Sequence, residues 1–299
     1  MPELIQIKEN IYYLTDSHHT NIGIVEIGDN RTVAVDSGMN DADGQMILAA
    51  LESKGLGLAA IINTHSHADH YGGNNYLVGE TACKVYAPPI EAAIMANPSL
   101  ESFYLYGAYP PAELRQPFLM AKVSPVDVLL DEPAVKIGDM TFDIVTLKGH
   151  SPNQIGVVVD GVFFCSDSVF SSRAWERLVL VYAMDIGETI KSIEKLKKVQ
   201  AESFVPSHDV PTGDITELVD LNLAWVQSII DSLLKIIRMP NDTATILREI
   251  CDKYGLKIRN LQQYYLCLDT LKAYLSFLLE KGLATYEFAA NRLIWRSVG

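Results

Sequence analysis

The sequence of 299 residues contains no run of about 20 apolar residues, the length that a helix needs to cross a bilayer. Its first residues, reading LIQIKENIYYL, contain no apolar stretch of the signal-peptide type, so we expect a cytoplasmic chain without a membrane partner. There are only four cysteines, and none forms a C-x-x-C pair, which predicts reduced thiols. They are Cys83, Cys165, Cys251 and Cys267.

Positive charge is also scarce. The 24 Lys and Arg residues face 37 Asp and Glu residues, which gives a formal net charge of −13. All of this excess lies in residues 1–212, whereas residues 213–299 carry 10 residues of each sign. An acidic chain is poorly suited to bind nucleic acid or an anionic membrane without help. The apolar content of 48% excludes intrinsic disorder, and we find no internal repeat.

What the first 212 residues do contain is a series of short β-rich runs separated by helical patterns. Many neighbouring runs are joined as hairpins, with turns at Gly138-Asp139 and Asp160-Gly161. This pattern favours an α/β sandwich over a doubly wound parallel sheet. Residues 89–122 read as a long irregular stretch rich in aromatic residues, typical of a lid or a binding wall.

From Asp214 onward the pattern becomes helical. Asp214 with Glu217 resembles a capping box, and Asp242 is positioned to cap a second helix. A third apolar stripe ends at Gly282, and the remaining residues read as a hairpin. Two or three helices followed by a hairpin predict a winged-helix-like module over residues 213–299.

The chemistry is concentrated in the segment Thr64-His65-Ser66-His67-Ala68-Asp69-His70, which follows a buried strand. Three imidazoles and a carboxylate this close together repel or lose solvation unless a cation gathers them. In a near-extended backbone His65 and His67 point the same way and can reach one metal. Asp69 and His70 can then serve a second metal about 3.5–4 Å away.

This segment resembles the HxHxDH motif of the metallo-β-lactamase-fold hydrolases. Four further segments resemble motifs of that family, and all five occur in the family's order between residues 35 and 208. They are VDSG at 35–38, GHSP at 149–152, VFFCSDSVF around Asp167 and PSHD at 206–209. The resemblance implies an α/β fold of the four-layer αββα sandwich type for residues 1–212, with the winged-helix-like module after it.

The resemblance also implies a dinuclear metal site. Metal one would be held by His65, His67 and His150. Metal two would be held by Asp69, His70 and His208, with Asp167 bridging both ions. Two divalent ions are expected, with zinc first and iron or manganese as alternatives. Hydrolysis would use a metal-bridging hydroxide, with Asp69 and Asp167 as catalytic residues.

Several positions depart from named subfamilies. Asp167 stands where true β-lactamases carry Cys or Ser, and Phe170 stands where homoserine-lactone lactonases carry Tyr. Glyoxalase II enzymes follow their last motif His with Glu-Tyr, but His208 is followed by Asp209-Val210. Two turn positions also differ, with Asn153 and Ser166 where the family commonly has Gly. We therefore predict a hydrolase of a small ester, thioester or lactone.

Two other functions remain open from the sequence. One is a phosphodiesterase, ribonuclease-type or nucleic-acid-binding protein of this fold, which the neutral C-terminal module and acidic catalytic part disfavour. The other is a mononuclear iron enzyme of the persulfide-dioxygenase type, which would leave some ligands idle. The roles of His18, His19 and the 89–122 segment, the substrate, and a possible homodimer through Tyr286 and Trp295 are also left open.

Overall fold

A computed structural model describes residues 3–16 and 20–298. Most strands are short and alternate with helices, as the sequence pattern predicts. The strands are β1 Ile5–Lys8, β2 Ile11–Thr15, β3 Asn21–Glu26, β4 Arg31–Val35, β5 Gly57–Ile62, β6 Lys84–Ala87, β7 Val128–Leu129, β8 Ala134–Ile137, β9 Met140–Thr146, β10 Ile155–Val159, β11 Val162–Ser166, β12 Ser203–Pro206, β13 Asn241–Asp242, β14 Ala284–Ala289 and β15 Arg292–Ser297.

The helices fall into short ones near the strand ends and longer ones in the last third of the chain. They are α1 Asp41–Glu52, α2 Ala68–Tyr71, α3 Asn74–Thr81, α4 Pro89–Ala96, α5 Ser99–Tyr106, α6 Ser172–Leu178, α7 Ile186–Leu196, α8 Thr216–Ile236, α9 Thr243–Tyr254 and α10 Leu261–Glu280, with a 3-10 turn at Ala112–Leu114. None of the helices in the described ranges is long and apolar enough to cross a membrane.

The strands form three sheets. The first has the order β1-β2-β3-β4-β5-β6-β7, antiparallel as far as β4 and parallel from there. The second has the order β12-β11-β10-β9-β8, in which only the β11–β12 pair is parallel. The third, with the order β13-β15-β14, is small and antiparallel. The hairpins predicted at Gly138-Asp139 and Asp160-Gly161 are therefore confirmed.

The first two sheets pack face to face, and the side-chain alternation of each strand divides its residues between two cores. In β4, Val33 and Val35 enter the core between the sheets, while Ala34 faces the helices on the outside. In β11, Phe164 points inward in the same way, and Phe163 points to the outer core. Strands with apolar residues on both faces are buried on both sides.

Helices cover the outer face of each sheet. Helices α1 and α3 pack over β5 of the first sheet, where Ile47 and Leu77 join its outer core. Helix α7 covers the second sheet through Ile193 and Leu196, which belong to one cluster with Phe163. Helix, sheet, sheet and helix give four layers, so the predicted α/β sandwich of αββα type is confirmed.

The last third of the chain shares its core with the second sheet. Helix α8 packs on α7, and one buried cluster extends from Phe163 of β11 to Ile229 of α8 and Leu271 of α10. The predicted helices and terminal hairpin are present. The domain boundary between residues 212 and 213 and the winged-helix character of the module stay predictions, and the continuous core indicates that any such module is closely attached.

The interpretation of residues 89–122 as irregular is wrong for the first half of the segment and holds for residues 107–122, apart from the 3-10 turn. Two helices of eight residues, α4 and α5, occupy its first half. Pro89 stands in the first turn of α4, where the missing N–H costs nothing, and Asn97-Pro98 separates the two helices. Gly107, with a φ of 76°, ends α5 in the left-handed conformation. The helices are too short to show a clear apolar period in the sequence.

Two predictions about the C-terminal part also need correction. Asp214 does not form a capping box with Glu217, because its Oδ1 accepts a hydrogen bond from the Thr216 backbone N–H in the turn before α8. Trp295 is not an exposed dimer residue: it is buried and its indole N–H donates to Thr243 Oγ1. Asp242 caps α9 as predicted, and Tyr286 is exposed. Dimerisation stays a prediction.

We expect Asn222→Ala to weaken the attachment of α8 to the segment that follows β11. The fully buried Asn222 amide accepts from the Phe170 backbone N–H at 3.0 Å and the Trp175 indole at 2.8 Å, and it donates to the Phe170 carbonyl at 2.9 Å. Leaving such buried groups unpaired costs about 1–3 kcal/mol each. Chemical denaturation should show that the free energy of unfolding falls by about 3 kcal/mol relative to the wild type. The control is Gln227→Ala on the exposed face of α8, and equal stability of the two variants would contradict the prediction.

Candidate metal centre

The candidate site lies where strands of the two large sheets end side by side. The loop after β5 carries the four residues from His65 to His70 that can bind metal, and α2 begins within it. The Ser166 hydroxyl at the end of β11 donates to Thr64 Oγ1 at 2.8 Å, and the Ile155 N–H of β10 donates to the Thr64 carbonyl at 3.0 Å. These bonds fix the ligand-bearing loop of one sheet against the strand ends of the other.

The three histidines predicted for metal one converge. His67 Nδ1 lies 3.0 Å from His65 Nε2 and 2.8 Å from His150 Nε2. His65 and His150 are buried, whereas His67 is partly exposed. Three imidazole nitrogens pointing at one another cannot all donate hydrogen bonds, so the arrangement suits a shared cation better than a hydrogen-bond network.

The residues predicted for metal two form a second group next to the first. His208 Nε2 lies 3.3 Å from Asp69 Oδ2, and His70 Nε2 lies 3.7 Å from that oxygen. Asp167 lies between the groups: its Oδ1 is 3.3 Å from His70 Nε2 and its Oδ2 is 3.4 Å from His150 Nε2. All seven predicted residues therefore come together, in the two sets that the sequence implied. Metal binding by them stays a prediction.

The outer ring nitrogens of the buried histidines are held by fixed partners. His70 Nδ1 pairs with Asp36 Oδ2 at 2.8 Å, and His150 Nδ1 pairs with the Tyr182 carbonyl at 2.8 Å. His65 Nδ1 lies 3.1 Å from the Thr64 hydroxyl. Such partners set the tautomer and ring orientation of metal-binding histidines. In each case the other ring nitrogen, Nε2, faces the cluster of candidate ligands.

The two groups differ in their electrostatics. Burial, reinforced by the neighbouring imidazoles, lowers the pKa of His67 to about 3 and that of His65 well below its ordinary value. Burial also lowers the pKa of His150, and Asp167 opposes part of that shift. The three imidazoles of the first group are therefore neutral at pH 7, which is the form that binds a metal ion.

The second group behaves in the opposite way. Burial alone would lower the pKa of His70 and His208, but nearby carboxylates, Asp69 and Asp167 above all, outweigh it and hold both pKa values well above the ordinary value. The same contacts keep the pKa of Asp69 and Asp167 low, although burial works against this. In the metal-free protein, protons on His70 and His208 thus supply the positive charge that balances these carboxylates.

Two orphaned atoms provide an independent test of a metal site. His70 Nε2 and Asp167 Oδ1 are completely buried, and although they lie 3.3 Å apart, neither forms a hydrogen bond within the described residues. Buried polar atoms of a native protein are nearly always paired, so these two point to a ligand between them. Imidazole nitrogen and carboxylate oxygen suit zinc, iron or manganese, and the residues therefore fit two divalent ions.

The structure also shows the surroundings of the two positions where the family commonly has glycine and of one cysteine near the ligands. Ser166, which replaces the family's usual glycine, adopts a left-handed φ of 53°, where β11 shifts register. Asn153, the other position where the family commonly has glycine, does not adopt that conformation, and its Oδ1 accepts a hydrogen bond from the Ile90 N–H at 3.4 Å. Cys165 lies in the outer core, away from the ligands. His18 and His19 lie outside the described residues.

Two residues near the ligands were missed in the sequence. Tyr182 places its ring edge-on to His67 and His150, with centroids 5.5 and 5.8 Å away. Tyr104 and Tyr106 of the 89–122 segment pack in the same cluster as Tyr182, whereas Tyr109 is largely exposed. We call Tyr104, Tyr106 and Tyr182 the tyrosine wall.

The second missed residue is Glu91 of α4, which is fully buried and contacts two of the ligand loops. The sequence contains a local indication of the helix that carries Glu91. Pro88-Pro89 directly follows β6 and is typical of a helix start, at the strand end where the ligands gather.

The structure is thus a sandwich of two sheets with a histidine and aspartate cluster at the strand ends, and comparison with known proteins identifies this fold. The family model of the metallo-beta-lactamase superfamily matches residues 16–208. This chain is 18% identical to a beta-lactamase domain protein from Burkholderia ambifaria, with a TM-score of 0.75 over 99% of this chain and 95% of the other. It is 17% identical to a metallo-beta-lactamase family protein from Thermus thermophilus, with a TM-score of 0.76 over 97% of this chain and 100% of the other.

Curated relatives match over shorter stretches. A hydroxyacylglutathione hydrolase of Thiobacillus denitrificans is 32% identical over 138 residues, 46% of this chain and 42% of that protein. A protein of the same name from Vibrio cholerae is 27% identical over 65% of this chain and 63% of its own length. The chain thus matches less than two thirds of either relative. It belongs to the metallo-beta-lactamase superfamily, as predicted.

We expect Asp36→Asn to weaken the second metal position. Asp36 accepts hydrogen bonds from the Thr64 N–H and hydroxyl, each at 2.8 Å, and holds His70 Nδ1. The NH2 group of an asparagine at this position would face the Thr64 N–H in one orientation, and the Thr64 hydroxyl and His70 Nδ1 in the other. Loss of such a partner lowers metal affinity about 10–100-fold. Titration of metal against a chelator measures this, with exposed Asp29→Asn as the control, since Asp29 shares the left-handed backbone. Equal affinities in the two variants would refute the role.

The metal-free protein should lose stability as the pH rises above about 6.5. The raised pKa values of His70 and His208 mean that the folded state holds more protons than the unfolded state there, so stability falls as the pH passes through the folded pKa values. The lowered pKa of Asp167 also stabilises the folded state, but this contribution is present throughout the tested pH range and is lost only when the pH falls below about 3.8. Thermal unfolding of chelator-treated protein between pH 6 and 9 measures the effect, and metal-loaded protein is the control. A melting temperature that stays constant or rises would contradict the assignment.

Proposed function

We propose that the protein is a dinuclear metal-dependent hydrolase that acts on a small ester, thioester or lactone. One observation carries the proposal. Seven side chains from four loops bring their ligand atoms together in two adjacent groups, with a carboxylate between them. Mononuclear chemistry, as in an iron dioxygenase, would leave one group without a purpose.

Each group has an open side. His67, Asp69 and His208 are partly exposed, whereas their neighbours His65 and His70 are completely buried. A substrate therefore approaches from the side of the exposed ligands. Divalent ions held by these residues would supply Lewis-acid activation of a carbonyl oxygen and an activated water nucleophile.

The chain's own residues would then complete the reaction. Asp167, buried between the groups, keeps both sets of ligands in register and stays ionised because His208 and His70 hold its pKa low. Asp69 is 23% exposed at its side chain and lies 3.3 Å from His208, so its carboxylate can orient the nucleophile and receive a proton from it. The leaving group would depart toward this exposed side.

The surroundings favour an acyl substrate with an uncharged reacting end. Glu101 is buried on α5, and burial together with Asp69 raises its pKa well above the ordinary value. Tyr182 of the tyrosine wall lies edge-on to His67 and His150, and Tyr104 and Tyr106 pack in the same cluster behind it. Apolar and aromatic surface next to a metal centre suits the acyl part of an ester or thioester.

Among acyl substrates we favour thioesters, because the curated relatives are named hydroxyacylglutathione hydrolases. The glutathione part itself is not part of this proposal, since Asp209-Val210 stands where the glyoxalase II pattern has Glu-Tyr. We keep zinc as the proposed metal, with iron and manganese as alternatives, and residues 213–299 as an attached structural module that could form a homodimer. A small molecule in the cytoplasm, and not nucleic acid, is the proposed substrate, in line with the net charge of −13.

Asp167→Ala should abolish metal-dependent hydrolysis while the protein stays folded. The variant removes the carboxylate that links the two groups, and loss of such a unit lowers kcat by several orders of magnitude. Hydrolysis rates measured on a panel of esters, thioesters, lactones and phosphodiesters, with and without chelator, test this. Asp160→Ala in the exposed hairpin turn is the control.

Two results would refute the proposal. One is hydrolysis by the Asp167 variant at the wild-type rate after its metal has been removed. The other is wild-type protein that contains one iron per chain and hydrolyses no member of the panel, which would support the mononuclear iron enzyme. Cleavage of phosphodiesters alone would support the nuclease alternative.

A further inference from the structure

Glu91 is a completely buried carboxylate that the proposed reaction does not use. It lies in the first turn of α4, within the 89–122 segment, and its side chain is fully shielded from solvent. The described residues contain no salt bridge to it. A buried carboxylate without a cation is costly, so one that persists must be stabilised by hydrogen bonds.

Four donors surround this carboxylate. Oε2 accepts from the Ser66 backbone N–H at 3.0 Å and from the Ser66 hydroxyl at 2.6 Å. Oε1 accepts from the Ser151 hydroxyl at 2.8 Å and from the Asn153 backbone N–H at 2.7 Å. Each carboxylate oxygen thus holds one loop, through one fixed N–H and one hydroxyl.

The two loops are those that carry the first group of histidines. Ser66 lies between His65 and His67, and Ser151 directly follows His150. Two ligands of the second group have other supports: Asp36 orients His70, and Asn21 Nδ2 donates to the carbonyls on either side of the segment that carries His208. Although the HSHADH loop also carries Asp69 and His70, the contacts of Glu91 fall on Ser66, Ser151 and Asn153, next to the histidines of the first group.

We propose that Glu91 is the positioning residue of metal one. Its carboxylate fixes the distance between the HSHADH loop and the GHSP loop, so that three neutral imidazoles converge on one ion. It also places a carboxylate next to the loops of three imidazoles, in addition to Asp167, which lies between the two groups. The inference rests on the ligand set of the proposed function, but it concerns metal binding and does not depend on which bond the enzyme cleaves.

Glu91→Gln tests the role with little change in size. In either orientation the amide NH2 group faces one backbone N–H, of Ser66 or of Asn153, and an N–H cannot rotate to accept. We expect a loss of about 10–100-fold in affinity for one of the two metal equivalents, the range seen when such partners are removed. The second equivalent should keep its wild-type affinity.

The experiment is a titration of metal-free protein with Co²⁺ against a chelator, followed by the visible absorption of bound cobalt. The matched control is Ser102→Ala on α5, which removes a buried hydrogen bond to the Leu114 carbonyl in the same segment without contact to a ligand loop. Asp36→Asn is the reciprocal variant, acting mainly through His70. The two variants should lose different cobalt bands, because they disturb different ligand groups.

The outcomes separate this inference from the proposed function. Wild-type protein that binds fewer than two equivalents contradicts the ligand set before any variant is compared. The role of Glu91 would be overturned if the Glu91→Gln variant bound both cobalt equivalents with wild-type affinity. It would also be overturned if its loss of cobalt affinity were no larger than that of the Ser102→Ala variant. If Glu91→Gln does not fold, Ser151→Ala removes a single donor and must still weaken the same equivalent; unchanged affinity there overturns the proposal. Changed affinities in a protein that hydrolyses no substrate would refute only the proposed function.

Discussion

The site depends on one buried carboxylate, Asp36 at the end of β4. It accepts two hydrogen bonds from Thr64 and one from His70, and so fixes both ends of the loop that carries four of the seven candidate ligands. Its left-handed φ of 66° turns the chain at the strand end and brings the carboxylate under that loop. Asp is one of the few residues besides glycine that tolerate this backbone, which explains why backbone geometry and ligand support fall on the same residue.

Around Asp36 the protein buries a cluster of ionisable groups, and burying a charge without a partner is costly. The first group of histidines avoids the problem by staying neutral, and the second group by staying protonated next to Asp69 and Asp167. Binding of metal at the second position would therefore release protons, whereas binding at the first would not need to. The two groups thus differ in charge although Asp167 lies between them. The acidic character of residues 1–212 noted in the sequence has a partial explanation here, since several of those acids are buried at the site.

The sequence predicts the ligands and the fold well because both depend on local patterns. Alternation in β4 and β11 and the spacing of His65, His67 and His70 are visible without a structure. Glu91 and Tyr182 were missed because their roles arise from packing between segments far apart in the chain: Glu91 meets Ser151 across 60 positions. The helices α4 and α5 were missed for a different reason, since eight residues show too little periodicity to distinguish a helix from a loop.

The arrangement of the tyrosine wall has a consequence for the role of the C-terminal module. Tyr106 packs against Tyr265 of α10 with ring centroids 5.0 Å apart, and Gln116 is hydrogen-bonded to Gln262 of the same helix. Helix α10 also joins the core cluster of the second sheet. The segment that provides Glu91 and Tyr104 is thus held between the metal loops on one side and α10 on the other. Through these contacts α10 supports the tyrosine wall, of which Tyr182 lies edge-on to His67 and His150, although α10 supplies no candidate ligand. The C-terminal part of the chain is therefore joined to the surroundings of the candidate metal centre through the packing of α5 against α10.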